Sequence, residues 1–370
     1  MGLTRKWRAL RETSARAGAA SGKSMVAQLG EIVGLRRGRG MLGMSEYYDY
    51  RVYMARDAAA RRTFAGWRIG TRLQAAMTSP GWEAVANDKL LCCSLAEAWG
   101  LPTPRLQAIY APGGMRHGHR IPTFATLDAL RDFLAAPDAP LPLFVKPVHA
   151  LTGIGAAGLA AYDARTDVVT LANGKQAALA DVVRPQAHSK RYWPTGCIFQ
   201  EMLRPHAEIA RRCGPRLCTA RVVVLLEAEG PRVMQVALRI ATGDNMVDNF
   251  RHGTLGNSAG PVDLATGRVL RQVAGVGSDE REVTHHPDTG EPIVDFVLPD
   301  WEQALALCRQ AAPCFGGFRY QGWDLAFTDR GPVLVELNAP FDMAGSQFTS
   351  GEGLWTPAVD RVLAELGTSP

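Results

Sequence analysis

Asp324, Glu336 and Asn338 bring two carboxylates and an amide carbonyl together near the C-terminal end of the chain. They sit in WDLAF at 323–327 and PVLVELNAP at 332–340, where apolar and β-branched residues alternate with polar ones around a Thr-Asp-Arg-Gly turn. That pattern predicts a hairpin. In a strand, Glu336 and Asn338 share one face while Val335 and Leu337 take the other, and Asp324 on the paired strand can come opposite that pair. An all-oxygen donor set without Cys or His suits a hard cation such as Mg²⁺, whose octahedron is completed by phosphate oxygens and water. The competing reading is a hairpin whose acids merely face solvent.

Basic side chains at strand and helix positions are the natural partners of such a centre. The chain has only six lysines against thirty-five arginines, so Lys89 and Lys146 stand out. Lys146 lies in LPLFVKPV at 141–148, an apolar strand that runs into HALTGIGAAG, where Gly153, Gly155 and Gly158 permit a tight, flexible loop. A strand lysine before a glycine-rich flap offers a point charge to phosphate, with the flap's N–H groups closing over it; a plain β-turn is the alternative. Arg221 and Arg239 lie in TARVVVLLEA and RVMQVALRIA, a hairpin turning at Glu229 and Gly230. A guanidinium inside a strand is costly unless it meets an anion, so both are candidates for phosphate or carboxylate contacts, with a cross-strand salt bridge as the alternative.

The elements that must position these groups follow from pattern. NDKLLCCSLAEAWGLPTPR predicts a helix capped by Asn87, with Lys89 in its first turn, Leu90, Leu91, Leu95 and Trp99 along one face, and Gly100 as the stop. Strands are expected at 107–110 and around 120–122, a helix at 127–134, a strand at 168–171, a helix at about 175–183, and a strand from Cys197 ending in Gln200, Glu201, Met202 and Leu203. Glu208 follows seven residues after Glu201. The segment 45–77 reads as helices that pack Tyr47, Tyr48, Tyr50, Tyr53, Phe64 and Trp67 on one aromatic face.

Length and composition bound the rest. With 370 residues, 46% hydrophobic and 21% charged, the chain is a folded one with room for two or three domains. No apolar run is long enough to span a membrane and no signal-peptide pattern opens the chain, while the seven cysteines are odd in number and include no Cys-x-x-Cys. A cytoplasmic protein with reduced thiols is the expectation. Through Arg72 there are fifteen Arg or Lys against five Asp or Glu, in a chain of net charge +5, so the remainder nets −5. No aromatic interleaving or nucleic-acid motif accompanies the basic segment, which favours an arm packed on the acidic remainder over a contact with nucleic acid or membrane. AGAASGKS at 17–24 fits a relaxed phosphate-loop pattern, but KWRALRETSARA before it is helical and charged, whereas a working loop needs a buried strand there. It reads as a helix break.

In this order, Lys89 at a helix start, Lys146 before a glycine flap, the hinge Gln200–Leu203, Arg221, Arg239, Asn249, then Asp324, Glu336 and Asn338, the chain resembles the ATP-grasp superfamily. The resemblance covers about Asn87 to Ser346. NMVDNFRHGTLGNSAGPVDLATGRV and GWDLAFTDRGPVLVELNAP look most like the sugar-transfer-associated members, with a more distant likeness to ligases that add glutamate to peptides.

The resemblance implies an α+β, ATP-grasp fold with two subdomains clamping ATP: a helical basic segment at 1–86, a lid and central subdomain with the flap at 87–199, and a C-terminal subdomain with the metal site at 200–370. Lys89 and Lys146 would hold the ATP phosphates under Gly153 and Gly155. Gln200, Glu201, Met202 and Leu203 would border the adenine, with the backbone at Glu201 and Leu203 reading its edge, and Glu208 would bind the ribose. Asp324, Glu336 and Asn338 would carry Mg²⁺, while Arg221, Arg239 and Asn249 would face the γ-phosphate and the substrate. The activity implied is ligation of a small-molecule or peptide carboxylate to an amine through an acylphosphate. A kinase acting on a hydroxyl, and a non-catalytic nucleotide sensor with a nucleic-acid or membrane-binding arm, are the alternatives. No Ser-His-Asp or Cys-His set competes; His252, His285 and His286 are the histidines to watch, and His252 could accept a proton from the amine. Two features depart from the family pattern: a basic helical arm replaces the usual Rossmann-like domain, and the flap is lean in glycine.

Overall fold

A computed structural model of the chain describes residues 3–112, 121–149, 153–184, 196–275 and 280–370. Its strands form two sheets. The first contains β1 (Leu106–Tyr110), β2 (Thr123–Phe124), β3 (Leu143–Pro147), β4 (Ala157–Asp163), β5 (Val168–Leu171), β6 (Gln176–Ala178) and β7 (Cys197–Glu201), in the order β2-β1-β7-β3-β4-β5-β6. Among the described residues, only its β1–β2 pair is parallel. The second contains β8 (Thr219–Glu227), β9 (Gly230–Ile240), β10 (Ser258–Pro261), β11 (Val273–Ala274), β12 (Arg281–Glu282), β13 (Tyr320–Thr328) and β14 (Gly331–Asn338), antiparallel throughout in the order β12-β11-β10-β9-β8-β13-β14.

Strand period divides the second sheet between two cores. Val222 and Val224 of β8 pack with Trp323, Phe315, Phe318 and the helix Trp301–Cys314, while Val223 and Leu225 pack with Tyr320, Phe341 and the helices Trp67–Ala76 and Pro357–Leu366. With both faces covered, β13 is buried at every position, which is why these strands read as nearly continuous apolar runs. Each such Val or Leu contributes roughly 1.5–3 kcal/mol by leaving water. The first sheet buries Leu143, Val145, Leu159 and Phe199 against Leu130 and Leu134 of the helix Leu127–Ala135.

The N-terminal segment packs on the second sheet. Helices Leu3–Ser21 and Met25–Arg37 meet at Gly22, where φ is 72°, and Ser24 caps the second helix by accepting from the Ala27 N–H. A helix therefore precedes the Gly-Lys-Ser sequence, as its charge predicts, and Lys23 pairs with Glu31 at 2.9 Å. Ala17, Ile32, Tyr47, Tyr48 and Phe64 share one core with Phe250, Ala259 and Phe348, and Arg39 reaches Asp360 at 2.7 Å.

Several local expectations are corrected. Asp88, not Asn87, caps the helix Lys89–Ala98: its carboxylate accepts the Leu91 N–H, while Asn87 ends the preceding helix. Leu91 and Trp67 are exposed rather than packed. Residues 176–178 form β6 by pairing with β5, leaving only the short helix Leu179–Val182 where a longer one was expected. The strand expected around 120–122 is β2, slightly later, and Arg120 lies outside the described residues. Gly158 belongs to β4 rather than to the flap loop. No helix among the described residues is long and apolar enough to cross a membrane.

Candidate active site

Asp324 stands directly opposite Glu336 in the β13–β14 register, and Asn338 opposite Gly322. The next pair is Leu325 with Leu334, so Val335 is an extra residue on β14. This bulge breaks the alternation at Val335, so that Val335 and Glu336 both line the cleft between the sheets. From Glu336 to Asn338 the register is continuous, but Asn338 is not among the lining residues, and its Nδ2 is buried without a hydrogen-bond partner among the described residues.

Two guanidiniums grip Asp324. Arg221 lies opposite it on β8 and donates from Nε to Oδ1 at 2.7 Å; Arg239 on β9 reaches Oδ2 at 2.9 Å. Burial would raise this carboxyl, but Arg221 and Arg239 outweigh it and hold the group at about 2. The cross-strand salt bridge read from the sequence as an alternative for these arginines is thus present. Arg239 also lies 3.7 Å from Asp248, whose Oδ2 accepts from both the N–H and the Oγ1 of Thr219 at 2.6 Å. Burial pushes the Asp248 carboxyl up despite Arg239. The Nε of Arg239 is buried and makes no hydrogen bond to the described residues.

The facing wall carries the lysines. Lys146, buried on β3, donates to the Val335 carbonyl at 3.4 Å, and Lys89, buried in the first turn of its helix, lies 3.0 Å from Glu336 Oε1. Both ammonium groups therefore reach across the cleft to β14. Gly153 and Gly155 have φ of 71° and 75°, and a side chain on Gly153 would crowd Val247 and the Asn249 amide. On Gly158 it would come within 2.8 Å of Ala172 and 2.9 Å of Met202, so that glycine lets Met202 lie against β4.

Beyond the lysines the cleft, about 700 Å³, becomes apolar: Phe144, Ile154, Ala160, Met202, Leu203 and Leu217 line it, with Gln200 and Glu201 at the hinge. This size suits a small-molecule ligand. Gln200 donates to the Pro104 carbonyl at 3.3 Å, and the Glu201 N–H to the Arg105 carbonyl at 2.9 Å. The Glu201 side chain pairs with Arg105 and Arg330. Glu208 is not brought to the cleft: it stands exposed on the helix Ala207–Cys213, 3.1 Å from Arg211. His286 is buried against the Ala241 carbonyl at 3.0 Å and His285 is exposed beside Thr284, while the side chain of His252 lies outside those described.

Thr219 and Asp248 are cleft residues that the sequence reading passed over. An acid in NMVDNF, beside Asn249, was the available signal; what it lacked was the fold-back that brings this loop to the start of β8. For a cation, the donors Asp324, Glu336 and Asn338 have suitable oxygen chemistry, although Asp324 already accepts from two guanidiniums and Asn338 stands outside the cleft's lining. Among the described residues no cluster of three His, Cys, Asp or Glu forms a metal site, so a cation here would lean largely on ligand oxygens.

Two sheets closing on a cleft with lysines on one side and acids on the other form an ATP-grasp fold. The chain belongs to the sugar-transfer-associated ATP-grasp family, which matches it over residues 71–361. Among solved structures, the ATP-grasp ligase PsnB with a minimal precursor is 18% identical, with a TM-score of 0.39, covering 78% of this chain and 64% of its own. An L-amino acid ligase from Bacillus licheniformis is 11% identical at a TM-score of 0.39, covering 76% and 48%. The VanG D-Ala:D-Ser ligase from Enterococcus faecalis is 12% identical at 0.42, covering 77% and 63%. The chain thus spans between about half and two thirds of the length of these proteins. No curated protein matches it.

Proposed function

We propose that this protein is an ATP-dependent carboxylate–amine ligase. The observation that carries the reading is the facing of Lys89 and Lys146 against Glu336 and Val335 of β14 across one cleft that turns apolar at its far end. Adenine would occupy the apolar part, bordered by Met202 and the backbone of Glu201 and Leu203. The lysines would then exchange their contacts on β14 for phosphate oxygens, with Gly153 and Gly155 over them. Asp324, Glu336 and Asn338 would hold Mg²⁺, which when bound offsets charge on the transferring phosphoryl group.

The acid's carboxylate oxygen would attack the γ-phosphorus as the bond to ADP breaks. The amine nitrogen would then attack the acyl carbon, expelling phosphate and losing a proton to give the amide. Arg239 and Asn249, which line the cleft, would orient the acceptor, and Arg221 would fix Asp324. No protein nucleophile is needed; the residues act by orientation and by charge placed before the reaction. Small-molecule or peptide acids and amines are the substrates. The test is ADP release over a panel of acids and amines, singly and paired. The proposal expects release that needs both, with an amide product; a stable phosphorylated product formed without amine would replace it with the kinase reading.

A further inference from the structure

Exposed apolar surface and positive charge concentrate in the same part of this chain. Among the described residues, seven of thirteen exposed large hydrophobic side chains fall between Trp7 and Trp67. The first 72 residues also hold the fifteen basic and five acidic groups noted above. The helix Met25–Arg37 shows the pattern most clearly. Its inner face buries Gln28 and Ile32, while Val26, Gly30 and Val33 make an outer stripe that ends at Arg37; Val26 is 79% and Val33 48% exposed. Side chains added at Gly30 or Gly34 would meet nothing within 4 Å. A surface helix ordinarily turns polar residues outward, and this one turns apolar residues both ways.

The stripe continues into a second apolar group through direct bonds. Arg36, at the end of the helix, donates to the Met41 carbonyl at 3.5 Å; Glu46 accepts the N–H groups of Gly43 and Trp67. Met41, Met44 and Trp67 therefore gather beside the arginine end of the helix, all exposed, with the Arg68 guanidinium 5.2 Å over the Trp67 ring.

We propose that this face docks on an anionic membrane surface, with Val26, Val33, Met41 and Trp67 entering the headgroup region and Arg36, Arg37 and Arg68 meeting lipid phosphates. Aliphatic side chains find a favourable partner in lipid, and clustered arginines find one in anionic headgroups. A second copy of the chain would bring two strongly positive segments together. Nucleic acid offers Val and Met nothing comparable. The contact is peripheral, consistent with the absence of a spanning helix among the described residues.

The full chain should be sedimented with phosphatidylcholine vesicles, with and without phosphatidylglycerol, and the wild type compared with Val26→Asp/Val33→Asp and Arg36→Glu/Arg37→Glu. The proposal expects binding at least about tenfold stronger to the anionic vesicles, lost at high salt, and lowered about tenfold or more by either double variant with the melting temperature unchanged. Equal binding to both vesicles, or vesicle binding indifferent to the Val26→Asp/Val33→Asp change, would overturn it. So would a wild-type dimer in gel filtration that these aspartates dissociate, or salt-sensitive DNA binding in place of vesicle binding.

Discussion

Lys89 Nζ lies 3.0 Å from Oε1 of Glu336, tying the start of a helix to the strand that carries the acids. The carboxylate holds the Lys89 ammonium on β14, and removing its charge lets that ammonium turn fully toward phosphate. Neutralising Glu336 should therefore leave nucleotide affinity intact or slightly higher, whatever it does to rate.

Among the described residues, the hydrogen-bond acceptor of Lys146 is the Val335 carbonyl, at a long 3.4 Å. Little binding energy holds it there, so a phosphate oxygen should displace the contact readily. Lys146→Ala should weaken Mg-ATP binding by about 1.5–3 kcal/mol, as for a charge-assisted contact in a partly closed site. Calorimetric titration measures it, and unchanged affinity would remove β3 and the flap from the account.

Gly158 offers a test of the apolar end that leaves every charge in place. A β-carbon there would stand 2.8 Å from Ala172 and 2.9 Å from Met202. Gly158→Val should push Met202 into the cleft and weaken ATP binding about tenfold or more, with a smaller effect on phosphate-only ligands such as pyrophosphate. Equal losses for both ligands would show that Met202 does not border the adenine.

The hairpin, the strand lysine and the two strand arginines were legible because each is an exception inside a strong apolar pattern: Asp324 and Arg221 interrupt strands that are otherwise almost wholly buried. The Val335 bulge was not legible, since one extra residue changes which side chains share a face without leaving a compositional mark. Nor was Asp248, whose partner Thr219 is distant in sequence and meets it only through the loop after β9. For Glu208, spacing from the hinge was the only guide, and the helix Ala207–Cys213 sends it outward to Arg211. The aromatic face at 45–77 holds except at its end: Tyr47, Tyr48, Tyr50 and Phe64 are buried and Tyr53 packs on them, whereas Trp67 is 61% exposed.

Deleting residues 1–40 should lower the melting temperature, because the deletion removes Ala17 and Ile32 from a core shared with Phe250 and Phe348, and Arg39 from Asp360. A loss of several degrees is expected in a thermal melt. An unchanged transition would mean that the segment adds no stability to the body.

Acid should act on the Asp324 pair with a definite sign. A carboxyl lowered from 3.8 to about 2 contributes stability that is fully present above the ordinary value and is lost as pH falls toward the lower one. Asp248, pushed up by burial, acts in the opposite sense, and because the Asp324 charge adds to that rise, Asp324→Asn relieves part of it. In urea melts, the stability difference between wild type and Asp324→Asn should narrow by about 1 kcal/mol as pH falls from about 6 to about 3. A constant difference would mean that the guanidiniums do not hold Asp324 in its charged form.

In the proposed ligase the acids of β13 and β14 serve phosphoryl transfer. Asp324→Asn also leaves Arg221 and Arg239 facing a neutral group, so part of its effect will be on stability. Glu336, partly exposed and paired with Lys89, gives the cleaner variant. The decisive measurement is Mg-dependent ADP formation by Glu336→Gln, with nucleotide affinity and a melting curve taken alongside. The account predicts a fall in rate of about a hundredfold or more, with affinity within about threefold and the fold intact, because the charge matters most at the transition state. Turnover within about threefold of wild type, less than about 0.7 kcal/mol on the barrier, would contradict it.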